Sequence, residues 1–154
     1  MRSLLLPLSI ALAVVVVASA SASIRINVGI DGVKIGQTQA QVRANLGKPG
    51  SVKNGADQVS TYTIMRYPAL KMTIELRGTV VSIRSTGLGD RTSSGVGVGS
   101  TEAALKQKVS NVSCEKVSSI KRICFTKPTN DGRSTTFRLT SGKIVEIDVS
   151  ILAD

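Results

Sequence analysis

The sequence predicts an α+β protein of two tandem units, each a short helix (or helical hairpin) packed on an antiparallel three- to four-stranded sheet. Two pairs of similar blocks predict the duplication: the block at 32–43 recurs at 95–106, and the block at 73–83 recurs at 136–147. Blocks that recur in the same order at nearly constant spacing are typical of an internal repeat. The expected boundaries are 1–22 for a signal peptide, 23–88 for the first unit and 89–154 for the second.

The N-terminus has the three-part layout of a secretory signal peptide. A short positive start precedes an apolar run over 4–17, and small residues occupy 18–22. The apolar run is short for a membrane span, which needs about 20 residues. We therefore expect cleavage after Ala20 or Ala22, no stable membrane span afterwards, and a secreted protein located outside the cell or in the periplasm (the cell envelope).

Each unit is expected to open with a short helix. Thr38 and Gln41 form a T-x-x-Q capping box, and Val42 and Leu46 lie one turn apart on one face of the helix. The block at 95–106 predicts a matching helix in the second unit. Helices of this length are not stable alone, so they must pack on a sheet.

Alternation of apolar and polar residues predicts the strands of that sheet. Further strands are expected at 59–67 and 120–127, and the segment 87–94 has the composition of a linker. The residues expected to face the core are Leu70, Met72, Ile74, Leu76, Val81, Ile83, Phe137, Leu139, Val145, Ile147 and Val149.

Polar residues between these apolar ones predict a polar outer face on the sheet. Such a face is either a solvated surface, common in antiparallel sheets, or a binding surface. The candidate binding residues are Tyr62, Tyr67, Lys71, Glu75, Arg77, Arg84 and Arg138.

Two cysteines, Cys114 and Cys124, are the complete set in the chain. Export favours a structural disulfide between them, across a hairpin that turns near Ser118 and Ser119. The alternatives are two free thiols or half of a metal site. Because the chain has no His, a zinc site would need unusual ligands, and we expect neither a metal nor a cofactor.

Composition bears on both catalysis and partners. The absence of His excludes Ser-His-Asp and Cys-His catalysis, which leaves a Ser-Lys hydrolase as the less favoured enzymatic hypothesis. The formal charge is +10 with the basic residues scattered along the chain. This charge either keeps a secreted protein soluble or serves to bind an acidic polymer.

The segment from Gly36 to Pro49 reads Gly-x-Thr-x-Ala-x-Val-Arg-x-x-Leu-Gly-x-Pro. It resembles the helix segment of the small outer-membrane-assembly lipoproteins, and the tandem arrangement is similar to that of the secreted β-lactamase inhibitory proteins. This resemblance implies helices packed on an antiparallel sheet whose face or loops contact a partner protein. It implies no site residue in this chain.

Together, these observations predict a secreted or cell-envelope binding module that is not an enzyme. The expected partner is a protein, recognised through the sheet face or the loops. The alternative partner is an acidic polymer, either a cell-wall polymer or a nucleic acid.

Overall fold

The protein is described by a computed structural model over residues 23–151, so the predicted signal peptide and its cleavage sites lie outside the described residues. The described chain is mostly β-structure, with eleven strands in two sheets and two short helices. In the first half the elements are β1 (Ile24–Arg25), β2 (Gly29–Ile30), β3 (Val33–Lys34), α1 (Gln39–Leu46), β4 (Ser51–Ala56), β5 (Thr61–Tyr67), β6 (Met72–Arg77) and β7 (Thr79–Ser85). In the second half they are α2 (Glu102–Lys108), β8 (Val112–Lys116), β9 (Lys121–Thr126), β10 (Arg133–Thr140) and β11 (Lys143–Ile151).

The predicted fold class, two helix-on-sheet units, is wrong. Strands from both halves form one antiparallel sheet of eight strands in the order β4-β5-β6-β7-β11-β10-β9-β8. A separate three-stranded sheet of order β1-β2-β3, which the sequence patterns did not indicate, completes the fold. The strands expected in two separate units therefore form one continuous eight-stranded sheet instead of one sheet in each half.

The two halves join where β7 pairs with β11. In this seam Ile83 pairs with Val149, and Arg84 pairs with Asp148. A strand at the edge of a sheet presents unpaired backbone N–H and C=O groups. If each half kept its own sheet, the central strands β7 and β11 would both be such edges, so their pairing satisfies backbone groups that two separate units would leave open.

The small sheet also ties the halves together. The backbone N–H of Asn27 donates to the Thr135 hydroxyl at 2.7 Å, and the Thr126 hydroxyl donates to the Asn27 side chain at 2.6 Å. On its other side, the Gly36 N–H donates to the Val80 carbonyl at 2.8 Å. One hydrophobic cluster includes residues of the small sheet, of both helices and of both halves of the large sheet.

The two helices begin in the same way. Thr38 and Thr101 are the N-caps, with φ/ψ of −78°/161° and −78°/160°, and each side chain accepts the N–H three residues on. Thr38 and Gln41 form the full capping box, as the T-x-x-Q pattern indicates. Val42 and Leu105 are fully buried, so each helix anchors to the sheet through an apolar side chain.

Two β-bulges change which residues face the core, so part of the predicted core is wrong. The pairing register shifts after Glu75 and after Arg138. As a result Val80 and Ile144 are buried, whereas Val145 is 43% exposed. A bulge places two residues of one strand opposite one residue of the other. Side chains along β7 and β11 therefore do not alternate strictly between the two faces of the sheet. Val81 is accordingly only half-buried.

Two more local expectations differ from the structure. Leu70 lies outside the strands, in a 3₁₀ turn over Pro68–Leu70, and is exposed. The segment 87–94 is held in place rather than serving as a free linker, because Asp90 and Thr92 are buried and Arg91 forms a bridge with Gly97. No helix within residues 23–151 is long and apolar enough to cross a membrane.

Candidate functional site: the outer face of the large sheet

The large sheet has an inner and an outer face. The inner face carries the core residues that pack with the helices and the small sheet. The strand registers place the opposite set of side chains together on what we call the outer face. Its central members are Tyr62, Ile64, Arg66, Thr73, Glu75, Arg77, Ser82, Arg84, Ile123, Phe125, Arg138, Glu146 and Asp148.

Tyr62, Glu75 and Arg77, three of the predicted binding residues, lie together on the first half of this face. Arg77 donates to both carboxylate oxygens of Asp57, at 3.2 and 2.7 Å, and to Glu75 at 3.2 Å. The Arg77 guanidinium lies 6.0 Å from the centre of the Tyr62 ring, within cation–π range. The Tyr62 ring in turn packs over Gly55, where an added Cβ would lie 2.5 Å from the ring.

Asp57 has a strongly perturbed pKa. The hydrogen bond from Arg77 lowers the pKa of Asp57 well below its usual range, and the backbone N–H groups of Ser60 and Val59 lower it further. Asp57 accepts these two bonds at 3.0 and 2.9 Å, within the turn between β4 and β5. The charge of Arg77 is thus engaged within the molecule.

Tyr67 does not belong to the binding face, which corrects the prediction. The side chain is only 4% exposed on the inner face, and its hydroxyl donates to the Gly47 carbonyl at 3.2 Å. Burial raises the pKa of Tyr67, and the charge of Arg43 opposes this effect. Tyr67 therefore fixes the end of α1 to β5, and its alternation with Tyr62 would have shown that the two rings point to opposite faces.

Lys71 lies at the margin of the outer face rather than on a strand. It follows the 3₁₀ turn with φ of 51°, in the left-handed region, and its side chain is exposed. Its backbone carbonyl accepts the Thr86 N–H at 3.0 Å. Lys71 is therefore held beside the end of β7 at the level of the seam.

Arg84 and Arg138, the remaining predicted residues, take part in an ion-pair network across the seam. Arg84 of β7 lies 3.4 Å from Glu146 and 3.4 Å from Asp148, both on β11. Arg138 donates to Glu146 at 2.8 Å, and the Ser82 hydroxyl donates to Asp148 at 2.9 Å. The network joins side chains from both halves of the sequence, a contact that pattern reading within either half could not indicate.

A basic cavity opens on the outer face beside this network. It has a volume of about 410 Å³ and is lined by Arg66, Lys71 and Arg84, with Glu146 at one side. Thr73 and Thr86 add hydroxyl groups to its wall. Within residues 23–151, no carboxylate oxygen lies within 4.0 Å of the charged groups of Arg66 or Lys71. These two cations are available to an external group.

An apolar cavity of about 290 Å³ lies further along the same face, on the second half. Its apolar wall is formed by Val117, Ile123, Leu139 and Val145. Its basic residues are Lys121, Arg122 and Arg138. Sequence reasoning missed this cavity because it placed Val145 in the core, and only the bulge turns that side chain outward.

Cys114 and Cys124 form a disulfide, which confirms that prediction. They are directly paired across β8 and β9, with Cα atoms 4.0 Å apart, and the hairpin turns at the predicted serines. Glu102 approaches the two sulfur atoms closely enough to suggest a metal cluster. Since both sulfur atoms are bonded to each other, they are not thiolate ligands, and Glu102 instead pairs with Lys106 at 2.7 Å and Arg122 at 2.9 Å.

The fold of the chain is similar to that of solved structures. The chain is similar to the uncharacterised protein yfeY from Escherichia coli, with a TM-score of 0.52 over 84% of this chain and 97% of that chain. It is also similar to YjgB of Bacillus subtilis, a DUF4309 family protein, with a TM-score of 0.51 over 80% of this chain and 84% of that chain. The sequence identity is 14% in both cases, so the likeness concerns the fold alone.

A third structure shares less with the chain. It is an extracellular protein containing an SCP domain from Bacillus anthracis, with a TM-score of 0.49 and 14% identity. The alignment covers 75% of this chain but only 43% of that protein. No family model and no curated protein matches the sequence.

Proposed function

We propose that the chain is an exported, non-enzymatic binding protein that holds a segment of a partner protein on its outer face. Export is supported by the signal-peptide pattern at 1–22 and by the Cys114–Cys124 disulfide, since disulfides persist mainly outside the cytosol. Binding through a sheet face also agrees with what the resemblance of the segment at 36–49 implies.

The observation that carries the proposal is the apolar cavity on the outer face. Most arginines of this face form ion pairs with carboxylates of the same molecule. Val117 is 58% exposed and Val145 43% exposed, and a cluster of exposed apolar side chains with a polar surround is typical of an interaction site. Arg138, at the rim of this cavity, is already bound by Glu146. The cavity therefore offers apolar contact more than free positive charge.

Charge identifies the kind of segment that fits. The chain carries +10 overall, and two of its cations, Arg66 and Lys71, line the basic cavity on the same face with no carboxylate within 4.0 Å among residues 23–151. A segment with an apolar side chain for the apolar cavity and acidic residues for the basic cavity would be complementary to both. The expected ligand is thus an acidic, partly apolar protein segment.

The test is capture of partners from the host envelope and culture medium by the exported protein at low and high salt. Val145→Glu places a charge in the apolar cavity, and Val59→Glu is the matched control, because Val59 is 86% exposed in the turn between β4 and β5. At high salt we expect the wild type and Val59→Glu to retain the same partner protein, and Val145→Glu to lose it. Retention of the partner by the wild type and both variants would contradict binding at this cavity.

A second candidate function is binding of an acidic polymer through the basic cavity. Arg66 and Lys71 favour it, because both are unpaired among the described residues and share one cavity. Affinity would then fall steeply as salt rises, because phosphate or carboxylate polymers release counterions on binding. Polyglutamate and duplex DNA are suitable probes.

The comparison that separates the two functions uses Arg66→Ala with Lys71→Ala against the control pair Arg43→Ala with Lys48→Ala near α1. If the basic cavity binds a polymer, only the double variant Arg66→Ala with Lys71→Ala should bind the polymer more weakly and with a smaller dependence on salt. If both pairs weaken binding equally, the attraction is due to net charge and the basic cavity is not a site. Capture of a protein at high salt, with no polymer bound, would favour the first function.

A further inference from the structure

Ser23, the first residue that the structure describes, is held firmly against the loop between β7 and α2. Its hydroxyl donates to Asp90 Oδ1 at 3.3 Å and accepts the Arg91 N–H at 3.0 Å. Its carbonyl accepts the Asp31 N–H at 2.8 Å, and the next residue, Ile24, donates to the Arg91 carbonyl at 3.0 Å. The backbone nitrogen of Ser23 belongs to the same residue as these groups and so lies within a few ångströms of Asp90.

Two carboxylates meet beside Ser23. Asp31 and Asp90 line one cavity of about 260 Å³, and Asp90 is only 8% exposed, with its second oxygen accepting from the Ser85 hydroxyl. Lys71 lines the same cavity, while the Arg91 guanidinium donates to Ser100. Across residues 23–151, no Lys or Arg nitrogen lies within 4.0 Å of either carboxylate.

Asp90 accepts hydrogen bonds from the Ser23 and Ser85 hydroxyls, but no positive charge lies beside either carboxylate among residues 23–151. A charge taken out of water without a partner is costly, and a second carboxylate nearby raises the cost. Burial, and then the charge of Asp90, raise the pKa of Asp31. Among residues 23–151 neither carboxylate has a Lys or Arg nitrogen within 4.0 Å, and the backbone nitrogen of Ser23, whose side chain contacts Asp90, would become a cation if the chain began there.

The sequence provides a way to create that cation. Small residues occupy 18–22, and Ala20-Ser21-Ala22 has the small-x-small pattern that signal peptidase cleaves. We infer that the signal peptide is removed between Ala22 and Ser23, and that the freed α-ammonium of Ser23 pairs with the carboxylates of Asp31 and Asp90. Hydrolysis of this peptide bond adds one water, giving Ala22 a carboxylate and Ser23 an amine that takes up a proton. The inference rests on the proposed export.

Processing would then complete the folded structure as well as release the protein. Before cleavage the nitrogen of Ser23 is a neutral amide, and after cleavage it carries a positive charge beside two negative ones. Cleavage after Ala20 would instead place the ammonium on Ser21, two residues before Ser23, which contacts Asp90. The two cleavage sites left open by the sequence therefore have different physical consequences.

The first experiment is to express the full chain in a secreting host and measure the intact mass of the exported protein. We expect a chain that begins at Ser23. A chain that begins at Ser21 would overturn this inference and leave the proposed export intact. An exported chain that keeps residues 1–22 would also overturn this inference, whereas absence of the chain from the exported fraction would overturn the proposed export, so the two failures are distinguishable.

The second experiment measures the pKa of the α-amine by NMR in the exported protein. A free α-amine titrates near 7.7–8.0, and we expect an increase of about one unit from the carboxylate pair. Asp90→Asn should remove most of this increase. Asp31→Asn is the second variant, because Asn tolerates the positive φ of 49° at this turn. An α-amine with an ordinary pKa that neither variant changes would overturn the pairing.

Discussion

At the scale of single residues, Arg77 shows how one side chain of the outer face is engaged. Its guanidinium contacts Asp57 and Glu75, lies over Tyr62, and donates to the Ser60 hydroxyl at 2.9 Å. This geometry fixes the turn between β4 and β5 to the end of β6. It also makes the stability of the turn dependent on the charge of Asp57.

Asp57 should therefore contribute stability that depends on pH. Its folded pKa is lowered, so the contribution is complete above the unfolded value of about 3.9 and is lost as the pH falls from there through the folded pKa. We expect Asp57→Asn to lower the free energy of unfolding at pH 7, and this difference from the wild type should begin to decrease only near pH 3, because the folded pKa lies well below that pH. Urea denaturation at both pH values measures this.

The control for this prediction is Glu115→Gln. Glu115 is exposed on the edge strand β8 and forms no ion pair within 4.0 Å among the residues described. Its replacement should change stability little at either pH. A loss in Asp57→Asn that is the same at pH 7 and pH 3 would show that the carboxylate charge is not responsible.

At the scale of elements, the two edge strands of the large sheet differ in how they are held. The edge strand β8 is joined to β9 by the Cys114–Cys124 disulfide, whereas β4 has no such link to β5. Edge strands have one hydrogen-bonded neighbour instead of two and open more easily than central strands. The disulfide compensates for this at β8, next to the apolar cavity.

Reduction of the disulfide should lower the free energy of unfolding by about 3 kcal/mol, the chain-entropy value for a loop of this size. The loop is short, with ten residues of sequence separation between the cysteines. Denaturation of the oxidised and reduced wild type measures the bridge alone, because both proteins keep the same side chains. Hydrogen exchange should show the extra opening in β8 and β9 and leave β4 unchanged.

The double variant Cys114→Ala with Cys124→Ala serves as a second comparison. Cys124 is fully buried, so truncation adds the cost of lost packing to the cost of the lost bridge. The variant should be less stable than the reduced wild type. If reduction does not change the denaturation midpoint, the bridge does not constrain the unfolded chain as argued.

At the scale of the whole molecule, the seam between β7 and β11 determines how the protein folds. It joins residues that lie far apart in the sequence, as in the contact between Arg84 and Asp148, which are 64 residues apart. Asn27 adds a second link from the small sheet, to Thr126 of β9 and Thr135 of β10. The hydrophobic cluster also continues across the seam, so neither half encloses a core of its own.

The two halves should therefore fail to fold when separated. We expect chains covering 23–88 and 89–154 to lack a cooperative unfolding transition, because each exposes an apolar sheet and an open central edge. The intact chain should unfold in a single transition by circular dichroism. The two halves mixed together provide the control, since recovery of the native spectrum would show that the seam is the missing contact. Independent cooperative folding of either half would contradict this prediction.

Local features were predictable from sequence for a physical reason. The Thr38 cap depends on Gln41 and a few backbone groups, and the disulfide hairpin depends on Cys114 and Cys124 facing each other across one turn. Such interactions are decided within a short stretch of chain. The outer-face positions of Glu75 and Arg77 likewise follow from period-two alternation along β6.

Features that depend on bulges and short strands were not predictable. Val145 keeps its apolar character in the sequence, but a shift of register turns it outward, and that shift is determined by pairing with β10. Strands β1 to β3 have two residues each, which is too short for any periodic signal. Tyr67 was placed on the wrong face although its alternation with Tyr62 was readable.

The sequence alone determined the cysteine pair, the start of the first helix and most of the alternating strands, because these depend on residue type and on close neighbours. Only the tertiary structure decided that the strands form one sheet, that Arg84 meets Glu146 and Asp148, and that Val145 lines an apolar cavity. These features depend on backbone groups finding partners across long sequence separations. Such pairing is selected by the shape of the whole core and by the need to satisfy every open strand edge.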